Sequence, residues 1–398
     1  MSVETVLLIA LAVTIVYSLI SGCLNKTIVT LPIVFTGLGY LVYSPVEQLA
    51  ETHVLHEVAR TVAEVTLILV LFADASHVRF ARLVESYQIP VRMLTIGMPL
   101  TILLGTVVVV LLPPDQSWAV ALLTAAILTP TDAALGQVVV SSPDVPRRLS
   151  QSINVESGLN DGLALPFILL AAILAGSSTM AETHEGSITV MALKQVILGP
   201  LVGIFLGWTI ARALDYAQNK KAISTSSEGV VFLCTAFAAF LVAEEVGGNG
   251  FISAFVAGAV FGNVYKHDIT FISEFMESQG QLLTMAAFFI FGAVLLPSGI
   301  AHMSWIPVVV ALLFLTIVRM LPIWISLIGT GLSLKEKLFL GWFGPRGLAS
   351  ILFSLVIIDE YVIPNEEELL ACVVMTVFLS IVLHGITANP LARRIARM

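Results

Sequence analysis

The sequence predicts an all-α polytopic membrane protein with about thirteen transmembrane helices. Its composition is the first reason, because hydrophobic residues make up 58% of the 398 residues and charged residues only 12%. A soluble domain of this size would carry roughly a quarter charged residues. The mean hydropathy of +0.98 and the regular return of long apolar runs are the second and third reasons.

The apolar runs are helices rather than barrel strands, because they are long and continuous instead of alternating. A helix needs about 20 mostly apolar residues to cross the hydrocarbon. The run at 250–265 is the shortest of the series. The predicted spans are 4–20, 27–43, 58–77, 91–112, 118–140, 149–174, 188–214, 226–244, 250–265, 275–297, 303–329, 335–358 and 367–391.

The charges between the runs alternate in sign, and this alternation orients the protein. Alternate loops are basic and hold Lys26, then Arg79, Arg82 and Arg92, then Arg147 and Arg148, then Arg212, Lys220 and Lys221, then Lys266, then Lys335 and Lys337, and finally Arg393, Arg394 and Arg397. The intervening loops hold Glu47, Glu51, Asp115, Glu182, Glu185, Glu244, Glu245 and Glu366 to Glu368. The positive-inside rule places the basic loops in the cytoplasm. We therefore expect a multi-pass protein of the cell (inner or plasma) membrane, with the N-terminus outside and the C-terminus cytoplasmic.

Two spans are interrupted at mid-membrane. Span five carries Pro130 and Asp132 at its centre, and span twelve carries Pro345 and Arg346 between glycines. Non-helical backbone at membrane depth is tolerated only where it lines a cavity or is buried in protein. Paired broken helices at corresponding positions indicate the binding site of a transporter. The alternative is a pair of ordinary proline kinks.

The two interruptions lie seven spans apart and run in opposite directions, which predicts an inverted repeat. The halves would cover roughly 1–175 and 226–398, joined by a linker helix at 188–214. The last apolar run ends a few residues before the end of the chain. We therefore expect one transmembrane domain over 1–398, with neither a soluble regulatory domain nor a regulatory tail.

Ionisable residues at membrane depth indicate function, because they are expensive to keep there. The central ones are Asp132, Glu156, Asp161, Arg319 and Arg346, and Glu64 and Asp74 lie nearer the ends of span three. In span six, Asn154, Ser157 and Asp161 share one helical face and form an oxygen-rich stripe. Glu156 and Asn160 lie on a neighbouring face that is available for structural pairing.

Three central acids face two central arginines, so one carboxylate has no fixed counter-charge. We expect Glu156 to pair with Arg346, and Asp132 to pair with Arg319 or with the ends of the broken helices. Asp161 is then left over and must take up a proton or a cation. Hydroxyl, amide and carbonyl oxygens from Ser157, Asn154 and Thr131 suit a hard cation. The alternative is that all of these charges form structural ion pairs.

At these residues the sequence resembles the sodium/proton antiporters of the NhaP and NHE type. Three motifs match in order and spacing over nearly the whole chain. They are Thr131-Asp132 in a broken span, the run Glu156-Ser-Gly-Leu-Asn160-Asp161, and Gly344-Pro-Arg346-Gly347. The resemblance implies an NhaA-like antiporter fold with a six-helix core domain, a dimerisation domain and two crossing broken helices.

The resemblance also implies the residues of the ion site. Asp161 and Ser157 would bind the transported Na⁺, and Thr131 would contribute a carbonyl. Asn160 in place of a second acid is typical of electroneutral members. One departure is that Leu71-Phe72 is followed by Ala73-Asp74, where the family often has Glu. Asp74 is either a substitute ligand or a residue of the cytoplasmic end.

The function that follows is exchange of a monovalent cation, Na⁺ or Li⁺, for H⁺, electroneutral at 1:1 and coupled by competition for Asp161. The resemblance further implies elevator-like alternating access, a role in pH homeostasis, and a homodimer in contact with membrane lipid. A K⁺/H⁺ exchanger stays open, because the same oxygen types hold both ions, and a gated cation channel is the alternative of another class. We expect no enzyme activity, no cofactor and no nucleic-acid partner. His384 in span thirteen is expected to be packed or hydrogen-bonded rather than a ligand.

Overall fold

The computed structural model describes residues 3–24, 27, 29–49, 52–78, 88–112, 117–132, 135–136, 139, 142, 145–178, 185–267, 270–301 and 304–396. Some loop charges that oriented the predicted spans lie outside these residues. They are Lys26, Glu51, Arg79, Arg82, Asp115, Glu182 and Arg397.

The described chain is almost entirely helical. The first helices are α1 (Val3–Leu24), α2 (Leu31–Leu49), α3 (Thr52–His77), α4 (Gln88–Leu111, with a π-helical turn at Met93–Gly97), α5 (Trp118–Ile127) and α6 (Arg147–Ala175). They are followed by α7 (Glu185–Asn219), α8 (Thr225–Glu245), α9 (Gly250–Val264) and α10, which comprises Thr270–Ile290, a π-helical turn Phe291–Leu295 and Leu296–Ala301. The last are α11 (Trp305–Ser326, interrupted at Thr316), α12 (Leu334–Trp342), α13 (Leu348–Glu360) and α14 (Glu366–Ala396). Two short strands, β1 (Ser177–Ser178) and β2 (Tyr361–Val362), pair antiparallel and join the ends of α6 and α13.

Every predicted apolar run overlaps one of these helices, including the short run at 250–265. Within the described residues, eight helices are long and apolar enough to cross a membrane, and α2, α5 and α9 contain shorter apolar helices. The multi-pass helical character is therefore confirmed. The number thirteen and the inverted repeat stay predictions.

Both predicted interruptions are present as breaks in the helical backbone. α5 ends at Ile127, and the chain then runs without regular structure through 128–132, which we call the span-five break. α12 ends at Trp342 and α13 begins at Leu348, which leaves 343–347 as the span-twelve break. Local sequence starts these helices cleanly. Ser117 caps α5 by accepting from the backbone N–H of Val120, and Ser333 and Glu336 form a capping box at the start of α12.

The helices pack in two groups around the breaks. The site group contains α4 to α6 and α11 to α14, and the flanking group contains α1 to α3 and α7 to α10. They meet where α10 packs against α14, where α13 packs against α3, and where α6 packs against α3 and α9. Span six, with its acidic motif, therefore lies at the interface between the groups.

Helix α9 packs directly on the backbone of α3. A Cβ on Gly258 would overlap the carbonyl of Phe72, and a Cβ on Gly262 would overlap the carbonyl of Ser76. Small residues allow membrane helices to approach this closely. The close contact at Gly258 and Gly262 fixes the turn of α3 that carries Asp74.

Substituting these glycines should destabilise the protein. Gly258→Val and Gly262→Val each force a side chain into the α3 backbone, and overpacking of this kind typically costs about 1–3 kcal/mol. We expect a lower midpoint of thermal unfolding in detergent for both variants. Gly37→Ala is the control, because a Cβ at Gly37 of α2 meets nothing within 4 Å. Equal midpoints for Gly262→Val and Gly37→Ala would contradict this account of the α3–α9 contact.

Candidate functional site

The two breaks cross each other, and Asp132 holds the crossing together. Its backbone N–H donates to the carbonyl of Pro345 at 2.8 Å. Its carboxylate accepts from the backbone N–H of Leu348 at 2.6 Å and from that of Leu135 at 3.3 Å. A Cβ on Gly347 would overlap this carboxylate, so the glycine is required here. Asp132 is therefore an acidic cap on the positive N-terminal end of α13.

Arg346 performs the converse role at the end of α5. The residue is fully buried, at 0% exposure, and its guanidinium donates to the carbonyls of Thr129 and Pro130, the latter at 3.0 Å. These carbonyls lie just beyond the C-terminal end of α5, where the break leaves acceptors without helical partners. Each broken helix end thus receives a side chain of opposite charge from the other break.

The expected ion pairs are wrong in detail. Glu156 pairs with Arg319, not with Arg346, through two hydrogen bonds of 2.5 and 2.7 Å between buried side chains. Arg319 is therefore not the partner of Asp132, which instead caps the broken helix, as the other alternative had it. Gly344 lies so close that a Cβ would overlap the Arg319 guanidinium. The charge count could not tell which helices face one another.

Thr131, Ser157 and Asn160 form a buried polar cluster beside the crossing. The hydroxyl oxygens of Thr131 and Ser157 are 3.1 Å apart. The side-chain amide of Asn160 donates to the Thr131 hydroxyl at 2.5 Å. The cluster therefore joins the span-five break to the acidic motif of α6, where Ser157 lies one helical turn before Asp161.

Asp161 is a buried acid that forms no ion pair with the described residues. It is 7% exposed, and its Oδ1 atom has no hydrogen-bond partner among the described residues. Its charged neighbours are the carboxylates of Asp74 and Asp132 and the guanidinium of Arg346. Within the described chain, no basic nitrogen forms an ion pair with it at 4.0 Å or less. A carboxylate in these surroundings requires a proton or a cation.

Asp74 reaches this cluster from the flanking group. It lies on α3 with its Cβ 3.6 Å from the position that a Cβ on Gly158 would occupy. Gly158 follows Ser157 on α6, so Asp74 lies beside the turn of α6 that carries the acidic motif. The structure thus brings Asp74 to the same stretch of α6 as Asp161, across the interface between the two helix groups.

Asn154 does not join this cluster. Its side chain is exposed, about one helical turn before Ser157. The buried polar set instead includes residues that sequence reasoning did not select. Ser350 of α13 donates to the carbonyl of Ile127 at 2.7 Å, and Ser380 of α14 accepts from the backbone N–H of Arg346 at 2.7 Å. Serines are common in membrane helices, so only their position beside the breaks distinguishes them.

A family model for the transmembrane part of sodium/hydrogen exchangers matches residues 5–394. The chain belongs to the sodium/hydrogen exchanger family. The family resemblance drawn from the motifs is thereby confirmed. The structure also matches that of the sodium proton antiporter MjNhaP1 from Methanocaldococcus jannaschii, with a TM-score of 0.80 and 20% identity over 100% of both chains. This likeness confirms the fold class.

Two characterised relatives of this exchanger differ in the cation of their names. The K⁺/H⁺ antiporter NhaP of Alkalimonas amylolytica is 26% identical over 278 residues, which is 69% of this chain and 47% of the relative. The Na⁺/H⁺ antiporter NhaH of Halobacillus dabanensis is 27% identical over 306 residues, which is 74% of this chain and 73% of the relative. The matched part is thus about half the length of NhaP but most of NhaH.

Glu156 and Asp161, the two acids of span six, should contribute differently to the thermal stability of the protein. Glu156→Gln leaves Arg319 as an unpaired buried cation, which typically costs about 3–5 kcal/mol. Asp161→Asn removes an acid that has no fixed counter-charge, so we expect a midpoint of thermal unfolding in detergent at or above that of the wild type. The double variant Glu156→Gln, Arg319→Met should recover part of the loss, because neither charge remains. A loss for Asp161→Asn as large as that for Glu156→Gln would contradict the assignment.

Proposed function

We propose that this exchanger transports a monovalent cation, Na⁺ or Li⁺, in exchange for H⁺, and that the two compete for Asp161. The observation that carries the proposal is the buried Oδ1 atom of Asp161, which has no hydrogen-bond partner among the described residues and lies one helical turn after the hydroxyl-bearing Ser157. Both relatives and the structural neighbour described above are named as cation/proton antiporters.

Charge accounting supports Asp161 as the transporting acid. Glu156 and Arg319 neutralise each other in a bidentate pair. Asp132 and Arg346 each serve a broken helix end of opposite sign, so neither is free to change its charge during transport. What remains at the centre of span six is one carboxylate that must be neutralised in every stable state.

The cation would be held by oxygen ligands from two helices, α6 and α3, and from the span-five break. Asp161 and Ser157 come from α6, Thr131 comes from the span-five break, and Asp74 approaches from α3. Such ligands suit hard monovalent cations. Asn154 would lie on the entry route rather than in the site, since it is exposed next to Ser157.

Competition for one carboxylate couples the two fluxes without further machinery. A protonated Asp161 cannot bind the cation, and a cation-bound Asp161 cannot hold the proton. Asn160, a neutral amide hydrogen-bonded to Thr131, stands beside it in place of a second acid. With the charge of Asp74 unchanged through the cycle, the expected exchange is one cation for one proton, with no net charge moved. Movement of the site group against the flanking group would expose Asp161 to each side in turn.

We place the active protein in the cell membrane as a homodimer, with the N-terminus outside. The outer faces of α1 and α7 expose large apolar side chains, such as Leu11, Leu19, Phe205 and Trp208. These faces suit contact with lipid and with a second copy.

K⁺/H⁺ exchange is the second candidate, and it is favoured by the relative NhaP, which is named for K⁺. The ligand types do not separate the two ions. The cation must be determined by transport.

When a Na⁺ gradient is imposed on liposomes that contain the purified protein, the pH of the lumen should change. The lumen should become alkaline when Na⁺ flows in and acidic when Na⁺ flows out, and Asp161→Asn should abolish this signal. The physical reason is that an amide binds neither the cation nor the proton in the required way. Asn154→Ala is the matched control on the same helix face, and we expect it to retain transport. Full activity in Asp161→Asn would contradict the mechanism.

The same liposomes identify the ion and the stoichiometry. Li⁺ should replace Na⁺, and K⁺ gradients should give little signal if Na⁺ is the substrate. An imposed membrane voltage should leave the steady exchange unchanged at 1:1. Exchange driven by K⁺ alone would select the second candidate, and a voltage-driven steady flux would rule out electroneutral exchange.

A further inference from the structure

One turn of α14 holds both ends of the span-twelve break. Ser380 and His384 lie four residues apart on the same face of this helix, and both side chains are buried. The expectation that His384 is hydrogen-bonded is confirmed. Neither residue belongs to the motifs of the ion site, and neither touches Asp161 among the contacts described above.

The imidazole of His384 binds the end of α12. Its Nε2 atom is 2.9 Å from the carbonyl oxygen of Trp342, the last residue of that helix. A carbonyl only accepts, and Nδ1 also lies 3.0 Å from a carbonyl oxygen, that of Ser380 on the same helix. A neutral ring has one N–H, so only one of the two contacts is a hydrogen bond, and we assign the proton to Nε2, whose contact joins α14 to α12. In the neutral ring, Nδ1 is then an acceptor, and the hydroxyl of Ser380 lies 3.2 Å from it.

The hydroxyl of Ser380 continues the chain to Arg346. Its oxygen accepts from the backbone N–H of Arg346 at 2.7 Å, which leaves its own hydrogen for Nδ1 of His384. One connected series thus runs from the N–H of Arg346 through Ser380 and His384 to the carbonyl of Trp342. The N–H of Arg346 is in the break, where a buried polar group without a partner is costly. The carbonyl of Trp342 is at the end of α12 and also accepts from the N–H of Gly344 at 2.8 Å.

We call Ser380 and His384, with the two backbone groups that they bind, the clamp. The clamp determines where the span-twelve break meets the ion site. Between its two anchor points lie Gly344, which packs on Arg319, and Pro345, whose carbonyl accepts from Asp132. Arg346 extends from the second anchor to the carbonyls of the span-five break. Thr131 belongs to that same break, so a shift of the clamp would move a ligand oxygen of Asp161's cation.

We propose that Ser380 and His384 are positioning residues for cation binding, acting through the span-twelve break and Arg346 on Thr131. The inference rests on the proposed function. A cation needs several oxygens at set distances, whereas a proton needs only the carboxylate. Loosening the clamp therefore weakens the binding of the cation more than the binding of the proton.

The test measures the apparent KM for Na⁺, or for whichever cation the liposomes transport, together with the acidic limb of the pH profile. His384→Leu and Ser380→Ala should raise KM about tenfold, the effect expected from losing a buried hydrogen bond. At fixed cation concentration, the acidic limb should move to higher pH and return when the concentration is raised. His384→Gln and Ser380→Thr retain the hydrogen-bonding groups and should keep a KM near that of the wild type.

Thr387→Val is the matched control on α14. The Thr387 hydroxyl accepts from the indole N–H of Trp342 at 3.0 Å, a side-chain contact that leaves the backbone of the break untouched. We expect its KM to be unchanged. A merely structural defect lowers the maximal rate with the amount of folded protein and leaves KM and the acidic limb in place, and that result for His384→Leu would overturn the proposal. So would an equal rise in KM for His384→Gln.

Hydrogen–deuterium exchange of a peptide containing the span-twelve break tests the clamp without transport. The Arg346 amide should be protected in the wild type and in Ser380→Thr, and exposed to exchange in Ser380→Ala and His384→Leu. Unchanged protection in both of the latter would overturn the clamp. A wild type that shows the clamp by hydrogen exchange but moves no cation would contradict the proposed function alone.

Discussion

The bidentate pair between Glu156 and Arg319 is the interaction on which the rest of the site depends. It joins α6 to α11 and removes one acid and one base from the central charges. In a medium of low dielectric, an ion pair this well matched is tolerated, while either member alone is strongly unfavourable. Arg319 is committed to Glu156, and Asp161 on the next turn of α6 forms no ion pair with an arginine among the described residues.

The second constraint is that two helices end inside the membrane. Their free N–H and C=O groups must be satisfied by protein. Asp132 and Arg346 do this reciprocally, each from the break of the other span. The arrangement gives both residues a fixed electrostatic task, and it also brings Thr131 against Ser157. The same contacts therefore support the broken backbone and bring the proposed ion ligands together.

The packing of α9 supports the part of α3 that lies beside the site. Gly258 and Gly262 bring α9 onto the backbone of α3, so the turn with Asp74 is held from behind. Asp74 then approaches Gly158 of α6 across the interface between the site group and the flanking group. Movement of one group against the other would shift an ion that is held by residues of both groups. Such movement is the physical basis of the alternating access that we propose.

Much of this could be predicted from the sequence, because the signals were local or additive. Run length and hydropathy predict the helices, and prolines beside charges at mid-membrane predict the two breaks. A count of charges predicts that one acid is left over. The pairing of Glu156 with Arg319 could not be predicted, since it depends on which faces of α6, α11 and the span-twelve break meet. The exposure of Asn154 and the clamp formed by Ser380 and His384 were hidden for the same reason, because helical periodicity does not specify the neighbouring helix.

The central claim is that one cation and one proton compete for Asp161, and proton release on cation binding measures this most directly. Na⁺ is added to purified protein in weakly buffered detergent solution at a pH where Asp161 is protonated, and the released protons are counted with a pH indicator. Binding of a cation to a protonated ligand must displace the proton. The account predicts release of about one proton per bound Na⁺ in the wild type and none in Asp161→Asn. Binding of Na⁺ without proton release, or equal release from Asp161→Asn, would contradict it.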